Sequence, residues 1–301
     1  MSRTRHCITA NGIASHDGLP FDRTRMTTAA LRETKLSNLI SELGVFLADG
    51  LVIAFSGGVD SSFLLWAATE ARKLADGRLL AITTVSPSVP KKDVEDAVRF
   101  AERIGVDCEL VESGEFGDER YLRNDAMRCY FCKSELFQIS DATIQQRDFR
   151  YVAYGYTATD MGDTRPGHRA ANEHGVLYPL ADHGFSKDEI REHMHLQGFE
   201  MAEKPASPCL SSRVMTGVRI NSAMLDGIDE LETLLRNGGL RVFRVRHHDD
   251  GESQFIRLEV APREMETAMT LKEDFVAEAK RRGYRWVTLD LEGYRTGGAN
   301  R

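Results

Sequence analysis

The sequence predicts an α/β protein: a parallel sheet flanked by helices, followed by a smaller α+β domain. Three observations carry that prediction. Short apolar runs alternate with amphipathic helical stretches between Leu51 and Tyr154, the pattern of βαβ units and a parallel sheet. The glycine-rich turn Ser56-Gly57-Gly58 follows the first apolar run and opens a helical stretch, where an open α/β sheet places its ligand. Beyond Gly217 the order becomes helix, strand, strand, helix, strand, so the chain divides there.

Residues 1–28 are rich in Arg, Thr, His and Gly without apolar periodicity, and read as a flexible N-terminal arm. Leu36, Leu39, Ile40, Leu43, Phe46 and Leu47 keep helical spacing, and Gly50 stands where that helix would end. Leu51–Phe55 is an all-apolar run that fits a strand buried on both faces, and a helix over Ser61–Leu74 follows it. Leu79–Val85, Glu109–Val111 and Tyr151–Tyr154 read as further strands, with a helix over Lys91–Ile104 between the first two. Lys187–Gln197 is amphipathic, and the Pro- and Ser-containing stretch Lys204–Pro208 comes after it. The first domain therefore covers 29–216. In 217–301, helices are expected over Met224–Leu235 and Arg263–Arg281, and strands over Leu240–Val245, Phe255–Val260 and Trp286–Leu291. Trp66 and Trp286 are expected in the core.

The 301 residues are 42% hydrophobic and 28% charged, enough apolar surface for a real core, which excludes collagen-like and wholly disordered chains. The longest unbroken apolar run is Phe63–Ala68, far short of the roughly 20 residues of a membrane helix. A net charge of −7 gives no general field for polyanions, so long nucleic acid is not expected as a partner. Five cysteines without a signal-peptide pattern point to a reducing, cytoplasmic setting, where a close Cys pair means metal or redox chemistry. Cys7 and Cys108 lack such context.

The run Phe55-Ser56-Gly57-Gly58-Val59-Asp60-Ser61-Ser62 has the makings of a phosphate cradle. Glycines permit a tight turn with inward amides, hydroxyls add donors, and the helix start contributes positive potential. It has neither the lysine of the Walker loop nor the GxGxxG spacing of dinucleotide folds. A lone carboxylate, Asp60, suffices for magnesium when a nucleotide supplies the remaining oxygens.

Arg128-Cys129-Tyr130-Phe131-Cys132-Lys133 sets two thiols three residues apart near a predicted helix start, where thiolate is favoured. A third, Cys209, lies in Pro208-Cys209-Leu210-Ser211-Ser212-Arg213. Three thiolates can hold three irons of a cubane cluster and leave the fourth open. Tetrahedral zinc would need a fourth ligand, for which His168, His174 and His183 are candidates; a metal-free redox pair is the other alternative.

The loop resembles the SGGxDSS signature of the pyrophosphatase-loop (PP-loop) ATPases, which split ATP between the α and β phosphates on an adenine nucleotide alpha hydrolase-like fold. That likeness implies that Ser56, Gly57, Gly58, Ser61 and Ser62 hold pyrophosphate and that Asp60 organises Mg2+. With RCYFCK and PCLSSR, and with Gly155, Asp160 to Gly167, Tyr178-Pro179-Leu180, Lys187, Ile190, Arg191, Arg244 to His247 and Leu289 to Arg295, the likeness narrows. From Leu51 to Asn300 the chain resembles the LarE family, ATP-dependent sulfur transferases acting on pyridinium-3,5-biscarboxylic acid mononucleotide in nickel-pincer cofactor synthesis. The ending Thr296-Gly297-Gly298-Ala299-Asn300 departs from that family's Gly-Ser-Met-Asn pattern.

The resemblance implies that Cys209 bears the sulfur, either sacrificially or as one of three ligands, with Cys129 and Cys132, of a 4Fe-4S cluster carrying an extra sulfide. All three thiols are present here, which favours the cluster. Gly155 joins the ATP site by the same likeness, Asp160, Asp163 and Arg165 are candidates for nucleotide or subunit contacts, and Glu232 matches a family acidic position that a plain exposed Glu would also explain. Also implied is a homo-oligomer, with a hexamer as one candidate state; the sulfide donor is not indicated. Arg213, Arg244 and Arg246 are expected to bind the anionic mononucleotide, because guanidinium gives two-point contacts to carboxylate and phosphate. Transfer RNA thiolation and amide synthesis are the competing functions of such loops; the first would want a basic stripe, the second an ammonia source.

Overall fold

The computed structural model describes residues 23–161 and 166–295, with side chains from residue 32 onward. Residues 1–22 of the expected arm, Cys7 among them, lie outside the described residues, as do Asp163, Arg165 and Thr296–Asn300. Helix α1 (Arg23–Ala48) begins inside the span read as arm. It ends at a left-handed Gly50, whose amide returns to Leu47 O.

The first domain is a four-stranded parallel sheet in the order β3-β2-β1-β4 (β1 Leu51–Ala54, β2 Leu79–Val85, β3 Cys108–Glu112, β4 Tyr151–Tyr154). Alternation along β1 feeds two cores. Leu51, Ile53 and Phe55 join the cluster under α1, α2 (Val59–Leu74) and α3 (Lys91–Ile104). Val52 and Ala54 join the opposite cluster around Phe137, Ala170 and Ala171. The chain winds outward from β1 through β2 to β3, then returns to β4 on the other side of β1. That reversal is the topological switch point, and the crevice at the carboxyl ends of β1 and β4 follows from it.

Between β3 and β4 lie α4 (Glu119–Leu122) and α5 (Arg128–Arg147). Only the start of α5 was legible. Its buried residues are Phe137, Ser140 and Thr143, and both hydroxyls return to backbone carbonyls one turn back, so no apolar stripe marks its 20 residues. After β4 come α6 (Pro166–Glu173), α7 (Pro179–Asp182) and α8 (Lys187–Leu196). Ser186 and Glu189 close a reciprocal cap at the start of α8.

The second domain sets α9 (Ser222–Asn237), α10 (Met265–Thr270) and α11 (Lys272–Arg281) with the sheet β5-β6-β7 (Phe243–Asp249, Gln254–Val260, Trp286–Leu289). β5 and β6 are antiparallel; β6 and β7 are parallel. Its core takes in Leu210 and Val214, ahead of Gly217. The single helix expected over Arg263–Arg281 is interrupted at Leu271, whose side chain covers Gly238 so closely that a Cβ there would clash. Trp286, expected in the core, is 57% exposed: it sits on the edge strand β7 with Lys280 and Arg285 over its ring. Trp66 is buried as expected. Among the described residues no helix is long and apolar enough to cross a membrane.

Candidate active site

At the end of β1 the chain turns through Ser56-Gly57-Gly58 into α2. Gly57 has φ +66°, and a Cβ there would lie 2.9 Å from the Ala97 Cβ and 3.0 Å from Asp93 O, so α3 packs against bare backbone. Ser61 ties the turn together: its Oγ donates to Gly58 O at 3.1 Å and lies 3.3 Å from the Ser56 amide. Lys204 reinforces the turn from outside, with Nζ on Gly57 O at 3.0 Å, Asp93 at 2.9 Å and Asp96 at 3.2 Å. Gly155, at the end of β4, approaches so closely that a Cβ would stand 2.7 Å from the Ser61 amide nitrogen.

Asp60 occupies the first turn of α2. Burial raises its carboxyl to about 6, against the pull of Lys187, and Oδ1 has no hydrogen-bond partner. An unpartnered, half-desolvated carboxylate oxygen beside a phosphate cradle suits Mg2+. Lys187 is itself paired with Asp160 at 2.7 Å.

A cleft of about 480 Å³ opens over this loop. Its lining includes Ser56, Gly58, Asp60 and Ser61 on one side, and Cys129, Cys132 and Cys209 on another. Gly57 and Ser62 stand behind the lining; Ser62 is fully buried. Cys129 and Cys132 are one turn apart on α5, and Cys209 precedes the short turn Leu210–Arg213. Leu210 N donates to Ser88 O at 2.7 Å, and Arg128 donates to Ser211 O at 3.0 Å, so the Cys209 segment is tied to the loop after β2 and to the start of α5. Burial opposes the charge on Arg128, but the neighbouring Cys209 and Cys129 sulfurs more than offset it and its pKa is raised.

At Cys132 the thiolate is not favoured, contrary to the expectation for a helix start. Burial and the adjacent Glu115 carboxylate push the Cys132 thiol well up. Glu115 is buried, accepting from Ser86 at 2.7 Å and Ser88 at 2.5 Å.

None of the three predicted arginines lines the cleft. Arg213, 2% exposed, makes a two-point pair with Glu232 at 2.9 and 3.0 Å, and its Nη1 donates to Cys209 O at 3.0 Å and to Pro208 O. Arg246 pairs with Glu259 at 3.0 and 2.9 Å and donates to Ser212 O at 2.8 Å. Arg244 donates to Ala206 O and Phe243 O, each at 2.6 Å, and lies over the Tyr294 ring. Together they clamp the backbone of 206–212 around Cys209 from behind. Glu232 is thus buried and paired, not a plain surface residue. Arg244 alone of the three has no carboxylate partner among the described residues, and burial with the nearby Arg213 charge lowers its pKa.

A sequence profile of the NAD synthase family matches residues 32–157, the sheet and its loop. An uncharacterised protein of Synechocystis sp. is 38% identical over 271 residues, which is 89% of this chain and 98% of that protein. The pyridinium-3,5-bisthiocarboxylic acid mononucleotide synthase of Lactiplantibacillus plantarum is 25% identical over 275 residues, 91% of this chain and 96% of its own. The chain belongs to the LarE family. An uncharacterised protein of Methanocaldococcus jannaschii is 27% identical over 265 residues, 87% of this chain and 96% of that protein. As a LarE family member with a PP-loop domain, the protein is an ATP-using enzyme.

In number and kind the donors fit a cubane cluster with one open iron: three thiols share one cleft, and each would take a separate iron. Among the described residues no three His, Cys, Asp or Glu side chains gather as a bound metal ion needs; of the three candidate fourth ligands for zinc, His168 lines the cleft with the thiols, and His174 and His183 are held elsewhere by Asp141 and Glu42. Sequence reasoning gave no role to Tyr121, Glu115 or Ser88. No motif flags them, because each matters through a partner distant in sequence, as Tyr121 does through Ser211 at 2.6 Å.

Proposed function

We propose that this enzyme adenylates a carboxylate of pyridinium-3,5-biscarboxylic acid mononucleotide with ATP and replaces the activated oxygen by sulfur, giving a thiocarboxylate for nickel-pincer cofactor synthesis. The single observation that carries the reading is the shared cleft: the PP-loop and the three thiols Cys129, Cys132 and Cys209 line one cavity. Nucleotide activation and a sulfur source within one enclosure let the adenylate react before water reaches it.

In this reading Ser56, Gly58, Ser61 and the start of α2 hold the departing pyrophosphate, and Asp60 shares Mg2+ with the phosphates. The substrate carboxylate attacks the α-phosphorus, and AMP leaves when sulfur adds to the acyl carbon. Arg128, beside Cys129 and Cys209, offsets anionic charge at the thiols. A 4Fe-4S cluster on Cys129, Cys132 and Cys209 would supply, when bound, a sulfide that can be replenished. Arg213, Arg244 and Arg246 fix the backbone around Cys209 from outside the cleft. A homo-oligomer and a reducing cytoplasmic setting belong to the same proposal.

Anaerobically purified protein incubated with ATP and the mononucleotide is expected to yield AMP, pyrophosphate and the thiocarboxylate over many turnovers. ADP and phosphate would overturn the loop assignment. Ala at Cys129, Cys132 or Cys209 should each abolish repeated turnover. If only Cys209→Ala is dead and the chain loses about 34 Da as hydrogen sulfide, the sulfur comes sacrificially from the Cys209 thiolate.

A further inference from the structure

The second domain contains a cavity of its own, of about 420 Å³, where the start of α9 meets the end of α11. Its lining includes His247, Tyr284, Arg281 and Arg282. Along β5, Arg244 and Arg246 face the Cys209 segment, so His247 lies on the opposite face of the strand and this cavity is separate from the cleft.

His247 is 1% exposed, and its Nδ1 lies 2.9 Å from the Tyr284 hydroxyl. Either atom can be the donor in that bond, and the arrangement in which the buried Tyr284 phenol donates leaves the ring proton on Nε2. Burial holds the imidazole near a pKa of about 4. In that tautomer the neutral ring presents its proton at Nε2, and Nε2 has no partner. A buried donor without an acceptor is rare in a folded protein and points to an absent ligand.

The surroundings suit an anion. The 16-residue helix α9 starts at this cavity, with Asn221 capping only the Met224 amide at 2.9 Å. Gly227 is bare where Arg282 crosses it, since a Cβ would lie 3.1 Å from Nη1. Among the charged groups in the lining both are guanidiniums; the carboxylates paired with them, Glu278 and Glu230, stand outside it.

We propose that this cavity binds the phosphate or carboxylate group of a small metabolite, through His247 Nε2–H, the Arg281 and Arg282 guanidiniums, and the first-turn amides of α9. Bare phosphate would occupy only part of the space, so the ligand is an organic anion.

The test uses the full chain labelled with 15N-histidine, with the His247 signal assigned by its loss in His247→Gln. Inorganic phosphate and acetate are titrated separately, which distinguishes the two anion classes. Because the readout is the His247 Nε2 resonance, phosphate in the PP-loop does not confuse it. A saturable shift with either anion is expected, its midpoint raised about tenfold in the exposed-site variant Arg281→Ala. No saturable shift with either anion, or a midpoint unchanged in Arg281→Ala, would overturn the proposal and leave a solvent-filled cavity.

Discussion

Arg213 and Glu232 form a fully buried two-point ion pair, and the same guanidinium holds the carbonyl of Cys209. Burial favours the neutral form of Glu232, but Arg213 prevails and lowers its pKa. A carboxylate on α9 in one domain thereby positions the sulfur segment of the other.

Glu232→Gln should therefore cost more than a surface change. It leaves the Arg213 charge buried without a counter-ion, a loss of about 3 to 5 kcal/mol. The expected result is a clear fall in the urea unfolding midpoint. The apolar pair Arg213→Met with Glu232→Leu should recover much of the stability but not the activity, because nothing then holds the Cys209 carbonyl. Equal stability of the parent and Glu232→Gln would show that the pair does not act as a desolvated unit.

Gly155→Ala is expected to disturb ATP binding specifically. The added methyl would meet the Ser61 amide nitrogen at 2.7 Å, and backbone cannot swing aside as a side chain can, so about 1 to 3 kcal/mol of overpacking is expected. Displacing Ser61 moves the hydroxyl that braces the loop. Calorimetric titration with a non-hydrolysable ATP analogue should show weakened binding, while Gly117→Ala, with open space around it, should bind as the parent does.

Much of this was legible because apolar pattern and turn chemistry agreed. Leu79–Val85, Lys91–Ile104 and Tyr151–Tyr154 have the expected bounds, each being an apolar run or stripe closed by Gly, Pro or a charged residue. Legibility failed where polar residues are buried by pairing. Strand β5 runs on through Arg246 and His247 to Asp249 because Glu259 pairs with the Arg246 guanidinium and Tyr284 bonds one ring nitrogen of His247, and no local pattern records partners 13 and 37 residues away. The site residues were readable as types, the thiols and glycines by spacing. The arginines were readable as cations, but whether a guanidinium faces a ligand or a buried carboxylate is decided by long-range packing.

The unprotonated state of His247 should appear in acid unfolding. Its pKa falls from 6.5 to about 4 on folding, so its contribution is complete above pH 6.5 and is lost as pH drops toward 4. The full effect is about 3 kcal/mol. His247→Gln should flatten the difference in stability between pH 7 and pH 4 by that order, measured by urea unfolding at each pH; an unchanged difference would mean that the ring is not held neutral.

Asp60 carries the opposite sign. Folding raises its pKa from 3.8 to about 6, so the folded state is penalised as pH rises through that window and fully penalised above it, by about 3 kcal/mol at most. Asp60→Asn should then unfold at higher urea than the parent at pH 8 and at nearly the same urea at pH 4, in the absence of metal. Adding Mg2+ with an ATP analogue should reverse the order at pH 8, because the cation removes the penalty only where a carboxylate is present. The same variant should lose AMP and pyrophosphate formation while keeping its circular dichroism spectrum. If Asp60→Asn gains nothing at pH 8 and the parent gains nothing from Mg2+ and nucleotide, the orphaned Oδ1 is not a magnesium ligand and the loop must hold its phosphates without it.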